Sequence, residues 1–150
     1  MPWAGVAGTP WQGRASAVLA EAGLPEVPPG HPWSGGVVLL DEQCPGVTAS
    51  VVRQVVEAAV DAVAVAVRPV TDTVKVLQDG YVGPTVDRES LVAVCAPVVV
   101  PASLAQRVAG PVDDLVAFVA GLPGLGVPVV HVEAPAAARR LADASELALL

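Results

Sequence analysis

An alanine- and valine-rich run, residues 58–67, stops abruptly at Arg68-Pro69. A continuous apolar stretch this short, bounded by a proline, reads as a strand buried on both faces, the kind that parallel sheets contain. Residues 62–67 are assigned to that strand. Directly after it the chain changes character. Pro69-Val70-Thr71-Asp72-Thr73-Val74-Lys75 and, beyond a short hairpin, Thr85-Val86-Asp87-Arg88 hold the only lysine. They concentrate Thr, Asp and Arg in a sequence otherwise built from Val, Ala, Leu, Gly and Pro. The polar cluster therefore begins where an apolar strand leaves the core, and in open α/β sheets the carboxyl ends of strands are where ligands bind.

The flanking sequence supplies the rest of an α/β pattern. Val37-Val38-Leu39-Leu40, ending in Asp41-Glu42, is another buried strand. Thr48 is placed to cap a helix in which Val51, Val52, Val55, Val56 and Ala59 recur at helical spacing. Strand, helix and strand in that order predict a right-handed crossover unit. Gln78-Asp79-Gly80 between Val74-Lys75-Val76-Leu77 and Tyr81-Val82 signals a tight turn between antiparallel strands, with Pro84 suited to an edge or strand end. The core resumes at 91–94, and Pro97 with Pro101 are expected to break the chain before a helix at 103–108. Asp113-Asp114 should cap a further helix, where their charge suits the positive end of its dipole. A strand at 127–132 and a terminal helix at 143–150 complete the reading. Residues 1–36 read as a degenerate Pro/Gly/Trp-rich segment with one short helix at 15–22, and residues 37–150 as the α/β domain with an arm at about 69–90.

Composition excludes several classes. A chain of 150 residues is one domain, of a size that buries about 70% of its unfolded surface. Hydrophobic residues make up 53%, yet no apolar run approaches the ~18 residues of a membrane span. The start has no basic region followed by an apolar stretch, so a cytoplasmic location is expected. A net charge of −7, with the seven arginines scattered apart from Arg139-Arg140, argues against a nucleic-acid partner. Cys44 and Cys95 match no metal-binding spacing and are expected to be buried thiols. His31 and His131 are too isolated to ligate a metal, and Trp3, Trp11 and Trp33 are expected to pack locally rather than form a partner patch.

Val38-Leu39-Leu40-Asp41, the PVTDTVK and TVDR segments, a Pro97-centred loop and the closing ASELALL follow one another as in a known family. The chain resembles the 2-C-methyl-D-erythritol 4-phosphate cytidylyltransferases, the IspD family, over residues 37–150, with a fainter echo at 6–20. The resemblance implies a partial doubly wound, Rossmann-like nucleotidyltransferase fold, with a mostly parallel sheet and a protruding β-hairpin arm. It implies a reaction that joins CTP to methylerythritol phosphate in isoprenoid synthesis, with CTP and Mg²⁺ as the requirements of any retained activity. It also implies that the arm embraces a second subunit, as a homodimer or heterodimer. Thr73 and Arg88 would then hold the phosphorylated substrate across the interface, Asp41 would sit beside the substrate hydroxyls and the metal, and Arg140 would stand where the family has a phosphate-binding lysine. Threonine hydroxyls and arginine forks suit such a ligand.

The sequence departs from the family at the triphosphate-binding loop. Gly5-Val6-Ala7-Gly8 carries no lysine, and no strand is expected before it, so Val37-Val38-Leu39-Leu40 would face solvent at an apolar sheet edge. Cys44 replaces an arginine, and Ala96 and Val98 replace a threonine and a glutamine. Nucleotidyl transfer depends on positioning and on cations that neutralise developing charge, so impaired catalysis is expected. Three readings stay open: a compact cytidylyltransferase, a non-catalytic partner of a complete paralogue, and a truncated gene product. Locally, Arg88 could pair with Asp87 or Asp72, and Arg139-Arg140 are expected to form a solvated face.

Overall fold

The computed structural model describes residues 3–4, 12–27 and 31–141. A six-stranded sheet runs in the order β2-β1-β3-β7-β4-β8, built from β1 (Trp3–Ala4), β2 (Glu26–Val27), β3 (Val37–Leu39), β4 (Val63–Pro69), β7 (Val92–Val100) and β8 (Val129–Glu133). The helices are α1 (Gln12–Glu21), α2 (Ala49–Ala58), α3 (Ala102–Val108) and α4 (Leu115–Gly121). A separate hairpin, β5 (Val74–Gln78) and β6 (Tyr81–Val86), forms its own two-stranded sheet. The pairs β1–β2, β1–β3 and β4–β8 are parallel, whereas β7 is antiparallel to both β3 and β4. Every strand of the main sheet except β7 therefore points the same way, and the expected mostly parallel α/β architecture is present.

The core follows from the apolar runs. Val63, Ala64, Val65 and Ala66 are fully buried, as are Val98, Val99 and Val100 across the ladder. α2 lays Val51, Val52 and Val55 onto the sheet, and Thr48 Oγ1 accepts the Val51 N–H at 3.4 Å to start that helix. Trp33 is buried and meets Phe118 edge-on, with ring centroids 6.3 Å apart, so this tryptophan packs locally as expected. Trp11 and the terminal helix expected at 143–150 lie outside the described residues.

Three expectations are corrected. Trp3–Ala4 forms a strand immediately before Gly5, pairing with β3 through Trp3 and Val38, and β2 lies outside it. The β3 strand is thus interior to the sheet, not an exposed edge. A two-residue strand has no periodicity to announce it, which is why the Pro/Gly-rich start concealed it. Pro97, in turn, does not open a loop. It lies inside β7, with a cis Ala96–Pro97 bond, where the ladder jumps from the Val65–Val98 pair to the Val67–Val94 pair. A bulge needs no donor from the proline nitrogen, so a proline is tolerated there. Similarly, residues 91–94 do not resume the core: Val92 and Ala93 are exposed and burial starts at Cys95.

The hairpin turn is as read. Asp79 (φ 51°) and Gly80 (φ 81°) both adopt positive φ, the signature of the two-residue turn whose twist matches antiparallel strands. Pro84 sits where the β5–β6 register shifts, between the Lys75–Thr85 and Leu77–Val82 pairs.

Asp114 caps α4 with one carboxylate oxygen that accepts the N–H groups of Val116 at 2.8 Å and Ala117 at 3.0 Å. Asp114→Ala is expected to lower unfolding free energy by about 1–2 kcal/mol. Urea denaturation would read this as a lower midpoint at unchanged slope.

Candidate functional site

Because β1, β3, β4 and β8 share a direction, their carboxyl ends emerge on one edge of the sheet. Asp41 follows β3 there, and its Oδ1 accepts the Gln43 N–H at 2.8 Å, closing a tight turn. The segment after β8 comes back against this turn. Arg140 Nη2 lies 2.5 Å from Asp41 Oδ2, an ion pair by distance whose angle falls short of a hydrogen bond. Arg140 Nη1 donates to Gln43 Oε1 at 2.5 Å, and the Leu141 N–H donates to the Gln43 carbonyl at 2.7 Å. Gly46 completes the closure. A Cβ there would stand 1.8 Å from the Ala137 carbonyl oxygen, so only glycine lets the two backbones approach.

These residues form one wall of a cleft of about 220 Å³, closed on the other side by Asp113, Asp114 and Leu115 at the start of α4. Among the described lining, Arg140 is the sole cationic side chain, opposite four carboxylates: Asp41, Glu42, Asp113 and Asp114. A smaller crevice of about 20 Å³ under Asp41 is lined by Arg14, Val18, Leu40 and Cys44, and Arg14 donates to the Pro45 carbonyl at 3.2 Å. The described residues contain no group of three or more His, Cys, Asp or Glu side chains arranged to hold a metal ion.

The expected solvated face at Arg139-Arg140 is corrected. Both residues are half-buried, and Nε and Nη2 of Arg139 are inaccessible and without a hydrogen-bond acceptor, as is Nε of Arg140. The local chain explains the burial: Ala138 and Leu141 are core residues on either side, and a short 3-10 turn at Ala136–Ala138 bends the segment inward.

Thr73 and Arg88 lie elsewhere, at the base of the hairpin. Thr73 is exposed. Arg88 donates from Nη1 to the Thr71 carbonyl at 2.8 Å and not to Asp87 or Asp72, while Asp87 instead accepts the Glu89 N–H. Arg88 also lines a groove of about 270 Å³ between arm and body, with Pro69, Leu91 and Glu133. Lys75 Nζ donates to Thr85 Oγ1 at 2.6 Å across the hairpin. The arm pairs only with itself among the described residues, and its tip exposes Leu77, Tyr81 and Val82 by 72–79%. The structure thus brings Asp41 and Arg140 together. Among the described residues, no hydrogen bond or ion pair joins either of them to Thr73 or Arg88 within one chain. Gln43, which links Asp41 to Arg140, carried no signal in the sequence beyond its place in the turn.

Cys44 and Cys95 are buried and unbridged, as expected. Burial pushes the Cys44 thiol up to about 12, with Asp41 nearby adding to the rise. Burial likewise raises Cys95, against the opposing influence of Arg68.

The profile described as 2-C-methyl-D-erythritol 4-phosphate cytidylyltransferase matches residues 13–113, well over half of the chain. The match begins upstream of β3, at α1, and takes in Asp41, Thr73 and Arg88 but not Arg140. Among solved structures, the Thermus thermophilus 2-C-methyl-D-erythritol 4-phosphate cytidylyltransferase is 30% identical, over 76% of this chain, with a TM-score of 0.58. The chain spans 59% of that enzyme's length. The 4-diphosphocytidyl-2C-methyl-D-erythritol synthase of Anaerococcus prevotii DSM 20548 shares the fold at 12% identity and a TM-score of 0.72, covering 99% of this chain and 94% of its own. The bifunctional IspDF of Campylobacter jejuni does so at 15% and 0.69, over 98% of this chain and 47% of its own. No curated protein matches the chain.

The raised Cys44 thiol has a signed consequence. Its neutral form is favoured in the fold, so its stabilising contribution is complete below the ordinary value of 9.0 and is lost as pH rises toward about 12. The unfolding midpoint should fall between pH 9 and 11, by less in Cys44→Ala. Equal declines in both proteins would contradict this.

Proposed function

Because the chain belongs to the 2-C-methyl-D-erythritol 4-phosphate cytidylyltransferase family, we propose that its carboxyl-edge cleft binds a phosphorylated small molecule and that catalysis of the family reaction is impaired. The family reaction joins CTP and methylerythritol phosphate and releases pyrophosphate. In this reading Asp41 accepts hydrogen bonds from substrate hydroxyls, held in place by Gln43 and Arg140, and Arg140 offers its free Nε to a phosphate oxygen. Thr73 and Arg88 reach the cleft of a second copy, a reading supported by an arm that pairs only with itself among the described residues and exposes an apolar tip that a partner would cover. The partner is a second copy of this chain or a complete paralogue. The reading takes the cytoplasm as the location; among the described residues no helix is long and apolar enough to cross a membrane.

Asp41 fits Mg²⁺ only as a single carboxylate ligand, since magnesium sites commonly combine one or two carboxylates with substrate phosphates and water. Bound with CTP, the ion would supply neutralisation of phosphate charge. The impairment rests on one observation: the cleft's one described cation is already paired with Asp41 and faces three further carboxylates. A triphosphate entering such a cleft meets repulsion where an active nucleotidyltransferase supplies attraction. Single electrostatic donors are worth about 10²–10³ in rate.

Pyrophosphate release from CTP, Mg²⁺ and methylerythritol phosphate should therefore fall below that of a complete family enzyme by at least about 10²-fold. A rate equal to the complete enzyme's would overturn the impairment. Separately, Arg88→Ala should weaken calorimetric binding of methylerythritol phosphate by about 1.5–3 kcal/mol, as for a charge-assisted hydrogen bond. Arg88 also pins the arm base, whereas Thr73 makes no such bond among the described residues, so Thr73→Ala should weaken binding without loosening the arm. Unchanged titrations for both variants would remove the arm from the site.

A further inference from the structure

β8 ends the main sheet: β4 lies on one side of it and no described strand on the other. The ladder shows which of its backbone groups are left over. The Val63 N–H donates to the Pro128 carbonyl and the Ala134 N–H to the Val67 carbonyl, both at 2.9 Å. Between them the register runs unbroken from Val63–Val129 to Val67–Glu133. Backbone direction alternates along a strand, so Val130 and Val132 also aim at β4. The N–H and C=O groups of Val129, His131 and Glu133 therefore point out of the sheet. No lysine or proline lies within this strand, although such residues are what commonly stop a bare edge from templating another strand.

The side chains along the edge are uncommitted too. His131 and Glu133 share one face of the strand, are exposed, and have no side-chain hydrogen bond or ion pair among the described residues. Val130 and Val132 share the other face, and Val130 is 36% exposed. An antiparallel partner must set its own outward-facing residues opposite these. For a second copy, that leaves two-fold axes at Val130, His131 or Val132 near the strand centre. An axis at Val130 sets His131 against Val129. An axis at His131 sets imidazole against imidazole. An axis at Val132 sets His131 of each copy against Glu133 of the other, twice over, and Val132 against itself on the opposite face. An imidazole N–H can donate to a carboxylate, and directly opposed cross-strand pairs of this kind stabilise a sheet. Only the last register pairs both polar side chains.

We propose that β8 is a homotypic docking edge, at which two copies of this chain pair antiparallel about Val132 and join two six-stranded sheets into one. The contact is separate from the arm and does not depend on what the cleft binds. Its hydrogen-bonded pairs are His131 with Glu133 of the other copy and the reverse, each exchanging both backbone bonds. One strand edge covers less surface than a stable interface commonly needs, so the association is weak and concentration-dependent.

The test is sedimentation equilibrium of the full chain carrying Leu77→Ser and Tyr81→Ser, which strips the arm tip of its apolar surface so that the arm is not the source of association. This chain should still pass reversibly from monomer to dimer as its concentration rises toward about 1 mM. In that background His131→Glu sets carboxylate against carboxylate, and Glu133→Lys sets an ammonium against the imidazole. Each should raise the dissociation constant at least about tenfold. The two together exchange the partners and restore opposite charges, so the double variant should return to within about threefold of the background. Its recovery also separates lost docking from lost folding. Hydrogen exchange at the His131 and Glu133 amides should slow with concentration in the background and in the double variant, and not in the single ones. A chain that stays monomeric overturns the proposal, as do single variants that associate like the background. A double variant no better than His131→Glu overturns it as well, and is the result that an axis at His131 would give.

Discussion

The sheet is held together by one antiparallel strand. β7 returns between β3 and β4, contributing Val98 and Val99 to both ladders, and so joins the β1–β2–β3 half to the β4–β8 half. Without that return, β3 and β4 would be parallel strands with a gap between them, and their carboxyl ends would not share an edge. Everything placed on that edge follows from it: the Asp41 turn, the root of the arm and the Arg139–Arg140 segment. The bulge around Pro97 is the accommodation that lets a proline-bearing strand serve in this central position.

Electrostatics on that edge are unusual for a chain carrying a net charge of −7. Two adjacent arginines are drawn into the fold and treated differently. One is engaged by a carboxylate and an amide from the opposing turn; the other is half-buried, with Nε and Nη2 unmatched among the described residues. Gly46 makes the arrangement possible, since a side chain at that position would force the turn away from Ala137 and separate Asp41 from Arg140. A backbone contact with no chemistry of its own thus sets the geometry of the charges.

Features with a local physical signature could be read from sequence. The β4 strand shows as an apolar run closed by Arg68-Pro69, α2 as a Thr48 cap ahead of helically spaced valines, the hairpin as Asp79-Gly80, and α4 as a helix started by Asp114. Asp41 was accessible by the rule that ligands gather at strand carboxyl ends. What escaped depends on distant partners. Trp3–Ala4 is a strand only because β3 and β2 flank it. Pro97 obeys the bulge in the β4 ladder, not its own tendency to break strands. Arg139 and Arg140 look like a polar surface pair until Gly46 and Gln43, almost a hundred positions earlier, are folded against them.

The arm has a mechanical meaning. It is inserted between β4 and β7, two neighbouring interior strands of the main sheet, and its own strands pair only with each other among the described residues. It is therefore a lever whose two ends are both held in one interior ladder of the main sheet. Any force applied at Leu77, Tyr81 or Val82 is delivered to the middle of the sheet and not dissipated at its rim, so tension at the tip loads the Val92–Pro69 end of that ladder first.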